Sequence, residues 1–73
     1  NTVQISGSGI RPDLVAIAAR SVAFADEVIN LGVLLRISVE EVVLTLFPDG
    51  RALVEGTDQV DRARALYDRY LGA

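Results

Sequence analysis

Two pairs of adjacent carboxylates come closest to a catalytic pattern in this chain. Asp26-Glu27 and Glu40-Glu41 each place two acids side by side, and two carboxyl groups whose pKa values are separated by their surroundings can act as general acid and general base. Both pairs fall at predicted ends of secondary-structure elements, where acidic side chains are normally solvated. We therefore interpret both pairs as exposed turn residues and not as an acid–base site.

Nucleophilic and metal chemistry also lack the residues that they need. The chain contains serine and threonine but no histidine, lysine or cysteine, so no side chain is suited to activate a hydroxyl group. The same absence removes the usual nitrogen and sulfur ligands of zinc. Glu40, Glu41 and Asp49 offer oxygen ligands for a hard cation, but their spacing resembles no calcium-binding loop. We predict no catalytic residue, no cofactor site and no metal site within these residues.

The charged and aromatic residues favour protein contacts. The chain has seven arginines and ten acidic residues, which gives a net charge of −3. The absence of a basic stripe argues against nucleic-acid binding. Several arginines could receive the carboxylates of a partner, or could be solvated and paired with neighbouring acids: Arg36, Arg51, Arg62, Arg64 and Arg69. The apolar stripe Leu66–Leu71, with Tyr67 and Tyr70, could dock a partner or belong to the core.

Length and composition predict one small domain. A core of this size contributes a net stability of about 3–5 kcal/mol. No apolar run approaches the roughly 20 residues of a membrane span, and the lack of cysteine fits a reducing, cytoplasmic setting. The chain starts at Asn1 and not at methionine. We therefore expect it to begin inside a longer protein, or to have been cut or engineered.

Hydrophobic periodicity predicts secondary-structure elements in the order strand, helix, three strands, helix. These elements must position the charged and aromatic residues. The expected segments are Thr2–Ser6, a helix from Pro12-Asp13 to Ala25, Val28–Val39 bent at Asn30-Leu31-Gly32, Val42–Phe47, Ala52–Glu55 and a helix from Val60 to Gly72. This order predicts an α+β fold of two layers, with a four-stranded, mainly antiparallel sheet and two helices on one face.

Two turns are expected to join the last three strands. Glu40-Glu41 lacks the Asn-Gly or Asp-Gly pair of tight two-residue turns, so a bulged or wider connection is predicted there. Pro48-Asp49-Gly50 is typical of a type I turn followed by glycine in the left-handed region, which closes a bulged hairpin. We interpret this second turn as structural, because phosphate-binding glycine loops join a strand to a helix.

The segment LTLFPDGRALVEGTDQVDRARALYDRYLG, residues 44–72, resembles the C-terminal end of ThiF/MoeB/HesA-type adenylyltransferases, which are relatives of ubiquitin-activating enzymes. Their tail has a strand, FPDGRA, a second strand, KGT-D, and a helix that closes in A--LY-RY-G. Asn1-Thr2-Val3-Gln4-Ile5 is similar to the residues that follow a zinc-binding Cys-x-x-Cys-Gly in many members. Glu40-Glu41 replaces a frequent Asp-Gly pair, and Glu55 replaces a common lysine.

The resemblance implies that residues 1–73 form a single C-terminal accessory domain, not catalytic itself. The parent would be a cytoplasmic, ATP-dependent adenylyltransferase that activates a ubiquitin-like sulfur-carrier protein for thiamine- or molybdopterin-type sulfur transfer. ATP, Mg²⁺ and, in many members, Zn²⁺ are expected in the parent's upstream domain. The expected partners are the parent catalytic domain and the carrier.

We expect these partners to dock on a free sheet face that carries Arg36, Thr45 and Arg51, because an antiparallel sheet can leave one side uncovered. The rival interpretation is a structural module that binds no ligand. Such a module would form a homodimer through a sheet edge or through the stripe Leu66–Leu71.

Overall fold

The computed structural model describes the backbone of residues 1–6 and 11–72 and the side chains of residues 1–6 and 11–70. Its elements follow the chain as β1 (Thr2–Ile5), α1 (Leu14–Ser21), β2 (Glu27–Asn30), β3 (Leu35–Val39), β4 (Val42–Leu46), β5 (Ala52–Glu55), α2 (Val60–Tyr67) and a π-helical turn (Asp68–Gly72). The strands form one antiparallel sheet in the order β1-β5-β4-β3-β2.

The prediction of a four-stranded sheet with three strands between the helices is wrong. The segment 28–39, expected to be one bent strand, is a hairpin in which β2 and β3 pair with each other. The backbone N–H of Leu31 donates to the carbonyl of Leu34 at 2.9 Å, and that of Gly32 donates to the side-chain oxygen of Asn30 at 2.9 Å. Gly32 has a φ of +85°, which glycine adopts without steric cost. The chain therefore reverses here, and the sheet has five strands.

One face of this sheet is buried beneath both helices. Alternate residues of every strand but β2 are apolar and buried, as the period of a strand requires. Ile17 of α1, Leu66 of α2 and Tyr70 of the π turn belong to the same buried cluster as these strand residues. The cluster includes Val3, Ile5, Leu35, Ile37, Val39, Val42, Leu44, Leu46, Ala52 and Val54. Among the described residues, no element covers the opposite face of the sheet.

The helices are short and are positioned by specific hydrogen bonds. The carboxylate of Asp13 accepts from the backbone N–H of Ala16 at 3.1 Å and caps α1, as acidic residues do at this position. The guanidinium of Arg20 donates to the carbonyl of Tyr70 at 3.2 Å and joins α1 to the π turn. The two helices are thus connected to each other as well as to the sheet.

The Glu40-Glu41 turn differs from its prediction. Val39 pairs with Val42, so the connection has two residues and is neither bulged nor wide. Both glutamates have positive φ, 51° and 68°, which is the pattern of a type I′ turn. The carbonyl of Glu40 accepts a 2.8 Å hydrogen bond from Arg62, and a Cβ on Gly56 would lie 2.8 Å from the carbonyl oxygen of Glu41. The positive φ angles of Glu40 and Glu41 are therefore found where the turn contacts α2 and closely approaches Gly56, just after β5.

The predicted hairpin at Pro48-Asp49-Gly50 is confirmed. Gly50 has a φ of +94° and donates to the carbonyl of Phe47 at 3.0 Å. The N–H of Phe47 donates to the carbonyl of Arg51 at 2.9 Å, and β4 and β5 pair on either side. The hydroxyl of Tyr67 also donates to the carbonyl of Gly50. The turn is therefore tied to the end of α2.

A conservative pair of substitutions tests which sheet face is buried. Ile37→Val removes one methyl group from a side chain that is fully buried, so we expect the free energy of unfolding to fall by about 1 kcal/mol. Ile29→Val makes the same change on the uncovered face, where the side chain is 39% exposed, and should cost less than about 0.5 kcal/mol. Urea unfolding followed by circular dichroism measures both, and equal losses would contradict the assigned faces.

A second pair of variants tests the strained turn. Glu41→Gly relieves a left-handed backbone, so we expect stability to rise by about 0.5 kcal/mol after the greater unfolded-state freedom of glycine is subtracted. Glu55→Gly makes the same substitution in the extended backbone of β5 and should destabilise the fold by about 1 kcal/mol. The prediction fails if both variants lose stability to a similar extent in the same urea titration.

Candidate partner-binding face

The uncovered side of the sheet presents two rows of side chains, which we call the open face. Direct strand pairing sets each row, because opposed residues point to the same side of the sheet. One row crosses the sheet as Gln4, Leu53, Thr45, Arg36 and Ile29, and the other crosses it as Thr2, Glu55, Val43, Ser38 and Glu27. These residues are the structural candidates for contact with another protein.

Arg36 and Thr45 are direct cross-strand neighbours in the middle of this face. Arg36 is exposed, and it forms no hydrogen bond or ion pair with any residue that the structure describes. Thr45 is only 7% exposed, because Arg36 on β3 and Leu53 on β5 flank it. The side chain of Arg36 is therefore available to a partner, whereas that of Thr45 is nearly inaccessible.

Arg51 lies apart from this pair, in the hairpin turn before β5. Its Nε donates to the carboxylate of Asp49 at 2.7 Å, and its guanidinium carbon lies 5.5 Å from the centre of the Phe47 ring. The backbone N–H of Arg51 also donates to Asp49 at 3.1 Å. This backbone hydrogen bond, with a smaller contribution from the guanidinium, holds the pKa of Asp49 below its usual value of 3.8. The local contacts of Arg51 stabilise the turn and leave it at the edge of the open face.

The chemistry of the open face is that of a contact surface. Ile29 is 39% exposed and Val43 and Leu53 are half-buried, so apolar area lies beside the charge of Arg36. Glu27 and Glu55 add exposed acids to the second row. Within residues 1–6 and 11–70, no cluster of acidic side chains could hold a metal ion. The arrangement can bind another surface through apolar contact and a charge-assisted hydrogen bond.

The four acids of the predicted pairs are all exposed, as expected. Asp26 and Glu27 lie at the start of β2, and Glu40 and Glu41 form the strained turn. The prediction of a single strand over Val28–Val39 did not place Glu27 and Ile29 on the open face, where they pair with Ser38 and Arg36. Asn30 and Gly32 were the sequence signal for the reversal, since asparagine and glycine are typical turn residues.

The stripe Leu66–Leu71 belongs to the core over its described side chains. Leu66 and Tyr70 are each 5% exposed, and Tyr67 packs against the same cluster. These side chains therefore belong to the core and do not form a docking stripe; the side chain of Leu71 lies outside the described residues. Two arginines, Arg62 of α2 and Arg69 of the π turn, contact Glu40. Arg62 donates to the carbonyl oxygen of Glu40, and Nη1 of Arg69 lies 3.8 Å from its carboxylate.

Over 73 residues, the chain is 36% identical to the sulfur carrier protein ThiS adenylyltransferase of Bacillus subtilis strain 168, and the match covers 99% of this chain. The resemblance to a ThiF/MoeB-type adenylyltransferase is confirmed. The chain spans 22% of the length of that relative. No family model matches the chain, and no solved structure matches it at a significant level. None of the helices in the described part of the chain is long and apolar enough to cross a bilayer.

Titration of Asp49 tests the contacts of the hairpin turn. The folded pKa is lowered, so the ionised carboxylate favours the folded state; this contribution is present above the unfolded pKa and is lost as the pH falls through the folded value. We expect the carboxyl carbon of Asp49 to titrate below pH 3.8 in NMR spectra. In Arg51→Gln the backbone donor remains, so the midpoint should rise only part of the way. A full return to 3.8 would contradict the dominant role of the backbone N–H.

Proposed function

We propose that this chain is the C-terminal accessory domain of an ATP-dependent adenylyltransferase that activates a ubiquitin-like sulfur-carrier protein, and that its open face contacts the carrier. The similarity to a ThiS adenylyltransferase supports the parent enzyme, and the match to 22% of its length supports a role as one part of it. The resemblance of residues 44–72 to the end of such enzymes supports the C-terminal position. We place the parent in the cytoplasm.

The main observation in support of carrier binding is the exposed side chain of Arg36, which lies in the middle of the open face. Both helices pack on one side of the sheet. In an antiparallel sheet the other side can face water or a partner. The open face combines this cation with Ile29, Val43 and Leu53. Arginine beside apolar side chains is enriched where proteins contact each other.

The adenylation chemistry would belong to the rest of the parent enzyme. We propose that ATP and Mg²⁺, and Zn²⁺ where a cysteine pair is present, bind in the upstream domain. The side chains of the open face would contribute affinity and orientation of the carrier. Holding a reactant in position lowers the entropic cost of reaction, so a noncatalytic domain would still influence the rate.

Charge reversal at Arg36 tests the proposed face in the full-length enzyme. Arg36→Glu should weaken binding of the sulfur carrier about fivefold, because one partly exposed charge contact is lost and replaced by repulsion. The KM for ATP should not change. Arg64→Glu makes the same charge change at an exposed position of α2 and should leave carrier binding unaltered. Titration calorimetry and the KM values for carrier and ATP measure these effects.

The results distinguish three possible occupants of the open face: the carrier, the catalytic domain of the parent and a second copy of this chain. Equal carrier affinity in Arg36→Glu and Arg64→Glu, with full adenylation activity after deletion of residues 1–73, would contradict the proposal. A loss of stability of the full-length enzyme in Arg36→Glu alone, with unchanged carrier affinity, would indicate that the catalytic domain covers this face. A monomer–dimer equilibrium that Arg36→Glu shifts in sedimentation experiments would favour the self-associating rival.

A further inference from the structure

The open side of the β2–β3 hairpin changes its chemistry step by step along the strands. Three directly opposed pairs occupy this side, because alternate residues of a strand share a face. The outermost pair extends the hairpin beyond the ends of both strands, since the backbone N–H of Leu31 donates to the carbonyl of Leu34 at 2.9 Å. We call the three pairs the hairpin strip, which consists of Leu31 with Leu34, Ile29 with Arg36, and Glu27 with Ser38.

The end of the strip at the hairpin tip is apolar and exposed. Leu31 is 56% exposed, Ile29 is 39% exposed, and Val33 in the connecting turn is 71% exposed. Elsewhere on the open face the large apolar side chains of Val43 and Leu53 are half-buried. The most accessible apolar surface of this face is therefore concentrated at the tip of one hairpin. Adjacent exposed apolar side chains with a polar rim are typical of sites that contact other proteins.

Charged side chains follow the apolar tip in a fixed order. Residues that share one side of a strand are about 7 Å apart, so Arg36 lies one step from the tip pair and Glu27 lies two steps from it. Both side chains are exposed, and they do not pair with each other, because the ion pairs among the described residues join other side chains. Glu55 is a second exposed acid in the row of Glu27.

We propose that the hairpin strip sets the orientation of the sulfur carrier on the open face. The matching carrier surface is an apolar patch over Leu31, Ile29 and the adjacent Val33, with a carboxylate over Arg36 and a basic group one step further on, over Glu27. Complementary charges fix the register of an interface, and a carrier bound in the reverse direction would place its carboxylate against Glu27. This inference rests on the proposed function and adds the chemistry and direction of the bound surface.

Substitutions at the hairpin tip test the apolar contact in the full-length enzyme. Leu31→Ser and Val33→Ser should each weaken binding of the sulfur carrier about fivefold, because they remove apolar area from the contact. Val15→Ser is the matched control, since Val15 is also 71% exposed but lies on α1 in the helical layer, and its carrier affinity should not change. Titration calorimetry measures the affinities. Circular dichroism should show an intact fold in all three variants, because the substituted side chains are exposed.

Removal of one acidic charge tests the order of the charges. Glu27→Gln should weaken carrier binding about twofold, and the loss should shrink as salt is added. Asp61→Asn removes one negative charge from an exposed position of α2 and should leave the carrier affinity unaltered. Tighter binding by Glu27→Gln would show that a carboxylate of the carrier faces Glu27, and it would overturn the proposed order.

The same titrations distinguish failure of this inference from failure of the proposed function. If Arg36→Glu weakens carrier binding but Leu31→Ser and Val33→Ser bind as Val15→Ser does, the carrier occupies the open face without the hairpin tip, and the inference is overturned. If Arg36→Glu also leaves the affinity unchanged, the proposed contact with the carrier fails as well. A loss of stability of the full-length enzyme in Leu31→Ser, with unchanged carrier affinity, would assign the tip to the catalytic domain and overturn the inference.

Discussion

Burial of one sheet face beneath two short helices is the interaction on which the other features of this molecule depend. The central strands contribute Leu35, Ile37, Leu44 and Leu46 with no exposed surface, whereas each helix contributes two buried residues. A chain of 73 residues has enough apolar residues for one such layer. No described element covers the other face of the sheet. That face is the candidate binding surface.

The open face and the helical layer are built in different ways. The open face results from strand pairing, which brings Arg36 beside Thr45 and Ile29 in a regular row. On the helical layer, contact between the end of α1 and the π turn brings the guanidinium of Arg20 to the carbonyl of Tyr70. Another protein surface can cover the flat, regular open face.

Much of the fold could be predicted from local sequence signals. The strand predicted over the apolar run Val42–Phe47 forms as Val42–Leu46, and the Pro48-Asp49-Gly50 turn forms as predicted. Each is specified by residues within a short window. The β2–β3 reversal was missed because asparagine and glycine suit a bulge as well as a turn. The tight Glu40-Glu41 turn contradicts local preference and forms because strand register and Arg62 favour it. Tertiary contacts, absent from any short window, decide such positions.

The candidate sites show the same division. Arg36 and Thr45 could be placed on one face because both lie in alternating strands, and Arg51 could not be assigned in this way because it lies in a turn. The hydrogen bond between Arg20 and the carbonyl of Tyr70 was not predicted, since the two residues are separated by 50 positions in the chain. Periodicity indicated that Tyr70 is buried, but it carries no information on which distant residue it meets.

The hydrogen bonds of α2 have a mechanical consequence. Arg62, near the start of the helix, holds the turn at one end of β4, and Tyr67, at its last residue, holds the turn at the other end. Helices that relay signals within proteins shift along their neighbours, by about 1–2 Å or in larger cases by one turn. Because α2 is hydrogen-bonded to the turns at both ends of β4, a shift along this strand would break the contact of Arg62 or that of Tyr67.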